Sequence, residues 1–142
     1  DVEVPEKTGA IIELPGFIPY LNAYQNLKYL SLMGNKRNES LKKLLEKVGL
    51  QSDNKTKVGS YSTGMKQRLG LAQALMDNPE LLILDEPMNG LDDQGVDDIR
   101  RILLELKNQG VTILLSSHNP EDMEVLADCV YRMNCGKLVP QK

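Results

Sequence analysis

Glu80-Leu81-Leu82-Ile83-Leu84-Asp85-Glu86, closed by Pro87, is the stretch on which the reading of this chain turns. Four consecutive apolar residues run straight into two carboxylates. A continuous apolar run, rather than an alternating one, suits a strand covered on both faces, as in a parallel sheet. Acids at the carboxyl end of such a strand lie on the rim where open α/β sheets bind ligands. There one carboxylate can hold a hydrated Mg²⁺ while its neighbour orients or deprotonates a water. Taken alone, the stretch is equally a strand ending in solvated acids. The flanking segments decide between the two.

Downstream, Met88-Asn89-Gly90-Leu91-Asp92 reads as a loop, followed by a helix over 93–109. Val96, Ile99, Leu103 and Leu106 give that helix one apolar face, and Gly110 ends it. Val111 to Leu115 reads as a second buried strand, running into Ser116-Ser117-His118, again at a carboxyl rim. Strand, helix, strand at this spacing predicts a right-handed parallel unit. Asn119-Pro120-Glu121 opens a short helix to about Ala127. Residues 129–133 and 137–139 form a closing hairpin around Asn134-Cys135-Gly136.

Upstream of the central strand stands Ser60-Tyr61-Ser62-Thr63-Gly64-Met65-Lys66-Gln67-Arg68. Ser62 or Thr63 can cap a helix with Met65, Leu69, Ala72 and Met76 inward, stopped by Asn78-Pro79. Such a start leaves N–H groups that can face a phosphate, although a plain cap explains the residues as well. Further upstream, Asn22 with Gln25 makes a capping box, and Tyr20, Tyr24, Leu27 and Leu30 recur at helical spacing until Gly34-Asn35. A second helix over 39–48 buries Leu41, Leu44, Leu45 and Val48 and ends at Gly49. Gly9 to Glu13 is a short strand ending in a carboxylate. In the loop Leu14-Pro15-Gly16-Phe17-Ile18-Pro19, Phe17 and Ile18 either pack inward or form a docking surface.

Bulk properties narrow the classes. The chain has 142 residues, enough for one domain or a piece of one, with 41% hydrophobic and 26% charged residues. A net charge of −3 supplies no broad basic field, so nucleic acid is not expected as a partner. Cys129 and Cys135, with one histidine in the chain, make neither a disulfide framework nor a zinc site, and fit a reducing cytosol. No apolar run reaches the length of a membrane span. Work at a membrane would require docking to something that spans it. The start at Asp1, with no initiator Met, reads as cut.

In this order the segments resemble the nucleotide-binding domain of ATP-binding-cassette (ABC) transporters. Tyr61-Ser62-Thr63-Gly64-Met65 is similar to the family signature Leu-Ser-Gly-Gly-Gln and is followed by the usual Gln67-Arg68. Leu81 to Glu86 resembles the Walker B strand, Asn89-Gly90-Leu91-Asp92 the D-loop, and His118 the switch histidine. Glu13 stands where the family has its Q-loop glutamine. The resemblance implies an α/β fold: the C-terminal part of a P-loop NTPase (RecA-like) parallel-sheet core plus the ABC helical subdomain. The expected divisions are 1–18 (core strand and Q-loop), 19–77 (helical subdomain) and 78–142 (core). It also implies roles. Asp85 would bind Mg²⁺ through its water shell, with Glu13 able to reach a metal-bound water. Glu86 would be the general base, and His118 would contact the γ-phosphate of ATP. Ser62, Thr63 and Gly64 would hold the nucleotide of a second nucleotide-binding domain, and Asp92 would link the two sites. A transmembrane permease is the implied further partner, with the protein on the cytoplasmic face of the membrane.

Three departures shape the expectation. Thr63 and Met65 replace a signature glycine and glutamine, and Glu13 adds negative charge near the γ-phosphate. With the Pro-Gly-Phe loop, these changes resemble bacterial exporters of the bacitracin, lantibiotic and multidrug type. Third, no Gly-x-x-x-x-Gly-Lys-Ser/Thr is present, so the β-phosphate cradle and its lysine are missing. That motif would lie upstream of residue 1, and the chain by itself is expected to be inactive. The rival readings are a non-transport ATPase of translation or repair and a non-catalytic regulatory module. A repair ATPase inserts a long coiled coil before the signature, whereas 48 residues without heptads separate Glu13 from Ser62 here.

Overall fold

The computed structural model describes residues 5, 7–13, 16–33 and 41–141. Its elements run β1 (Thr8–Ile11), α1 (Ala23–Met33), α2 (Leu41–Lys47), a 3₁₀ turn (Val58–Ser60), α3 (Thr63–Leu75), β2 (Leu81–Asp85), α4 (Asp93–Asn108), β3 (Thr112–Ser116), α5 (Pro120–Leu126), β4 (Tyr131–Asn134) and β5 (Lys137–Pro140). Strands β1, β2 and β3 form a parallel sheet with β2 central, and β4 pairs antiparallel with β5. The α/β class and the parallel placement of the two acid- and histidine-bearing strands follow the sequence reading.

The local signals work as read. Asn22 Oδ1 accepts from the Gln25 N–H at 2.8 Å, and Gln25 Oε1 accepts from the Asn22 N–H at 3.0 Å, so the box is reciprocal. Gly49 turns the chain after α2 at φ +75, and the Leu50 N–H reaches back to the Leu45 carbonyl. Buried Asn26 ties the loop to α1, accepting from the Ile18 N–H and donating to the Ile18 and Asn22 carbonyls. Phe17 packs against the core, which settles the inward reading for that residue. The expected end of α1 at Gly34-Asn35, the start of α2 at residue 39, and Leu14 and Pro15 lie outside the described residues.

Two expectations about burial are corrected. Among the described residues the sheet is covered on one face, not both. Leu82 and Leu84 of β2 are buried with Ile11 of β1, and Ile113 and Leu115 of β3 pack on the same core. The alternate residues Ala10, Ile83 and Leu114 point the other way, and Leu114 is 60% exposed. The reason is that successive strand side chains alternate between faces, and the described helices lie over one face only. Tyr20 is the second correction. It is 68% exposed because α1 begins three residues later, at Ala23, so Tyr20 never joins the helical stripe. β1 also ends at Ile11, two residues short of Glu13.

The core joins both halves of the chain. Leu27, Leu45, Val48 and Leu69 from the helical part are continuous with Leu82, Leu84, Ile99 and Leu103. Each such side chain contributes roughly 1.5–3 kcal/mol on burial. Among the described residues, every buried side-chain nitrogen and oxygen has a hydrogen-bond partner.

Candidate functional site

Parallel pairing of β2 with β3 sets Asp85 beside Ser116. The Ser116 hydroxyl donates to Asp85 Oδ1 and also accepts from the Glu86 N–H at 3.1 Å, an amide the Ser116 carbonyl shares at 3.2 Å. Glu86 takes φ 46, in the left-handed region that few residues other than glycine occupy. That twist ends the strand, and the Asn89 N–H closes the turn onto the Glu86 carbonyl at 3.0 Å. The Glu86 carboxylate then meets His118 Nδ1 at 2.9 Å. The Glu86 side chain is 32% exposed and the His118 side chain 75%. Asp85, Glu86 and His118, expected to share one rim, are therefore brought together. An imidazole held through Nδ1 by a carboxylate presents Nε2 outward, and a half-exposed carboxylate can take a proton from water.

Glu13 lies two residues past Ile11, whose register partner is Leu84, so it belongs to the same end of the sheet. It is exposed and makes no hydrogen bond among the described residues. No group of three or more His, Cys, Asp or Glu side chains is close enough among the described residues to form a ready-made metal cage. The donor set still suits Mg²⁺, which keeps several waters and uses one or two carboxylates with substrate phosphates. Asp85 is the residue that fits.

A second set of residues forms where α3 and α4 begin. Ser62 caps α3, its Oγ accepting from the Met65 N–H at 3.2 Å. The cap uses an oxygen lone pair and leaves the hydroxyl hydrogen and the Thr63 and Gly64 amides to face outward. Asp92 caps α4 by accepting from the Gly95 N–H at 3.1 Å. The two starts touch: a Cβ added at Gly90 would lie 3.3 Å from Thr63 Cγ2, and one at Gly64 would lie 3.4 Å from Leu91 Cδ2. Gly90 also sits at φ +74, so this contact favours glycine on both counts. Tyr61, just before the cap, is buried, and burial pushes its pKa up. Arg68 donates to Asp98 Oδ2 at 2.6 Å and to the Val48 carbonyl at 3.3 Å, tying α3 to α4 and to the end of α2.

Sequence reasoning gave no role to Ser116, Arg68 or Asp98. The strand register points to Ser116 once β2 and β3 are known to pair, because Asp85 and Ser116 end adjacent strands. Arg68 and Asp98 are 30 residues apart and carry no local signal.

Comparison with known proteins agrees with this geometry. Residues 2–89, more than half of the chain, match the family described as "ABC transporter". The chain is 47% identical over 137 residues to the "Bacitracin transport ATP-binding protein BcrA" of Enterococcus faecalis, covering 95% of this chain and 44% of that protein. It is 44% identical to the protein of the same name in Bacillus licheniformis, covering 98% of this chain and 46% of the relative. The "Lantibiotic transport ATP-binding protein SrtF" of Streptococcus pyogenes is 43% identical over 136 residues, 96% of this chain and 59% of the relative. The chain thus spans about half the length of the curated relatives it matches.

Proposed function

Because the chain belongs to the ABC transporter family, we propose that it supplies the water-activating acids, the switch histidine and the signature segment of an ATP-hydrolysing transport subunit. The observation that carries this is the rim itself: Asp85 and Glu86 ordered by one serine hydroxyl, with His118 on Glu86. Phosphoryl transfer to water asks the protein mainly for positioning and charge stabilisation. Glu86 accepts a proton from the attacking water. His118, oriented through Nδ1, offers Nε2 to the γ-phosphate. Asp85 would hold Mg²⁺ through its water shell, and the ion would supply positive charge against the phosphates. Glu13 takes the Q-loop position.

Ser62, Thr63 and Gly64 hold the γ-phosphate of the nucleotide on a second nucleotide-binding domain, and Asp92 lies beside that contact. These 142 residues carry no Gly-x-x-x-x-Gly-Lys-Ser/Thr loop to cradle the β-phosphate, and by themselves are expected not to turn over ATP. The divisions 1–18, 19–77 and 78–142 follow the same reading. The names of the relatives, bacitracin and lantibiotic transport ATP-binding proteins, support a part in transport; export of an antibiotic, peptide or drug through a membrane permease, with the protein on the cytoplasmic face, is the reading we add. Among the described residues no helix is long and apolar enough to cross a membrane. Exposed Tyr20, on the loop beside α1, is the place to look for the permease contact.

The test is Glu86→Gln in the full-length protein. MgATP affinity is expected to stay within about twofold of wild type while turnover falls by about 10²–10⁴. Unchanged turnover would remove Glu86 from the base role.

A further inference from the structure

Two buried ionised side chains take no part in the chemistry above. Asp122 of α5 is 1% exposed and Arg100 of α4 is 8% exposed. Removing such charges from water costs several kcal/mol per ion unless the geometry is good. Here it is good. Arg100 donates to Asp122 Oδ1 through Nε at 2.9 Å and through Nη2 at 2.6 Å, and Nη2 also reaches Glu121 Oε2 at 3.0 Å. Asp97 Oδ1 lies 3.8 Å from Nη1. Asp122 first, then Glu121, raise the guanidinium pKa, so it stays charged.

The other oxygen of Asp122 is turned to the rim. Asp122 Oδ2 accepts from the Ser117 hydroxyl at 2.6 Å, and Ser117 Oγ accepts from the Asn119 N–H at 3.1 Å. Asn119 Oδ1 then caps α5 on the Glu121 N–H at 3.0 Å. Both chain neighbours of His118 are therefore fastened to one hydroxyl, and that hydroxyl is fastened to a buried carboxylate that Arg100 orients.

We propose that Arg100 is a positioning residue for His118, acting through Asp122 and Ser117 to hold the 117–119 turn that sets the imidazole on Glu86. Its value to catalysis rests on the function proposed above; its effect on the imidazole does not. The inference also connects two sites: Asp92 caps α4, and Arg100 lies about two turns further along it. A shift of α4 against the sheet would reach His118 through this pair.

The test is made on the full-length protein with Arg100→Met/Asp122→Leu, which replaces the ion pair by apolar side chains of similar size. Such replacements commonly preserve stability. ATP KM is expected within about twofold of wild type, with kcat down about tenfold or more. The His118 ring ¹⁵N resonances, assigned by their loss in His118→Gln, are expected to move from a fixed tautomer toward a solvent-averaged one. Ser117→Ala, which deletes one hydroxyl, should move the ring resonances the same way and decides the matter if the double variant does not fold. Wild-type kcat and an unchanged ring spectrum would overturn the inference and leave the pair as glue between α4 and α5. A wild-type protein without ATPase activity would overturn the function proposed above, and the ring spectrum would still decide the positioning.

Discussion

The strand-end rim and the paired helix starts are wired differently. On the rim the two acids that end β2 have partners in the same chain: Asp85 with Ser116, Glu86 with His118. Where α3 and α4 begin, the side-chain oxygens of Ser62 and Asp92 are used as caps, and the Thr63 and Gly64 amides have no acceptor among the described residues. On the function proposed above, the first region is a set of groups held against one another to act on a water. On the same proposal, the second is a backbone surface with donors to spare, which would take an anion held by a second nucleotide-binding domain. Caps of this kind cost little and fix direction well, whereas a catalytic carboxylate needs a partner that also sets its angle.

That contrast gives a sharp way to break the reading. Glu86→Gln damages only the rim, and Gly64→Asp damages only the helix start, by placing a carboxylate against Leu91 where a phosphate is expected. Each variant alone is expected to lose about 10²-fold or more of turnover. Mixed as subunits of the full-length protein, they should regain activity, because a heterodimer keeps one site with an intact rim facing an intact signature. No recovery on mixing, measured as ATP hydrolysis across subunit ratios, would mean that rim and helix start serve the same nucleotide within one chain.

A smaller effect sharpens the rim side. Ser116→Ala removes the hydroxyl that bridges Asp85 and the Glu86 amide, and should lower kcat about tenfold with ATP KM unchanged. If KM rises and kcat does not fall, the hydroxyl serves binding instead of ordering the acids.

The smallest effect concerns what keeps the two regions in register. The Arg68 guanidinium holds the Asp98 carboxyl below its ordinary value of 3.8. A depressed carboxyl contributes stability at pH above its unfolded value and loses it as pH falls through the folded one. The pair is partly exposed, so water screens it, and Asp98→Asn should cost about 0.5–1 kcal/mol at neutral pH. Denaturant unfolding is expected to show the gap between variant and wild type closing as pH drops below about 4. A gap constant from pH 7 to 3 would show that the ion pair contributes nothing.

Much of this was legible in local chemistry. Asn22 with Gln25, Ser62 before α3, and the apolar run ending at Asp85 each act over a few residues, and each came out where the sequence put it. Tyr20 and the second sheet face did not, because helical spacing and an apolar run say nothing about what lies above them. The chain order of Ser62, Glu86, Asp92 and His118 determined the family and the chemistry to expect, since phosphate-handling groups must stand at strand ends and helix starts that sequence can mark. Only the tertiary structure decided that Ser116 orders the acids, that Glu86 adopts a left-handed backbone, and that Arg100, Asp122 and Ser117 fasten the His118 turn. Those choices depend on strand register and on contacts between residues 5 to 31 positions apart, and a directional hydrogen bond exists only once both ends have been placed.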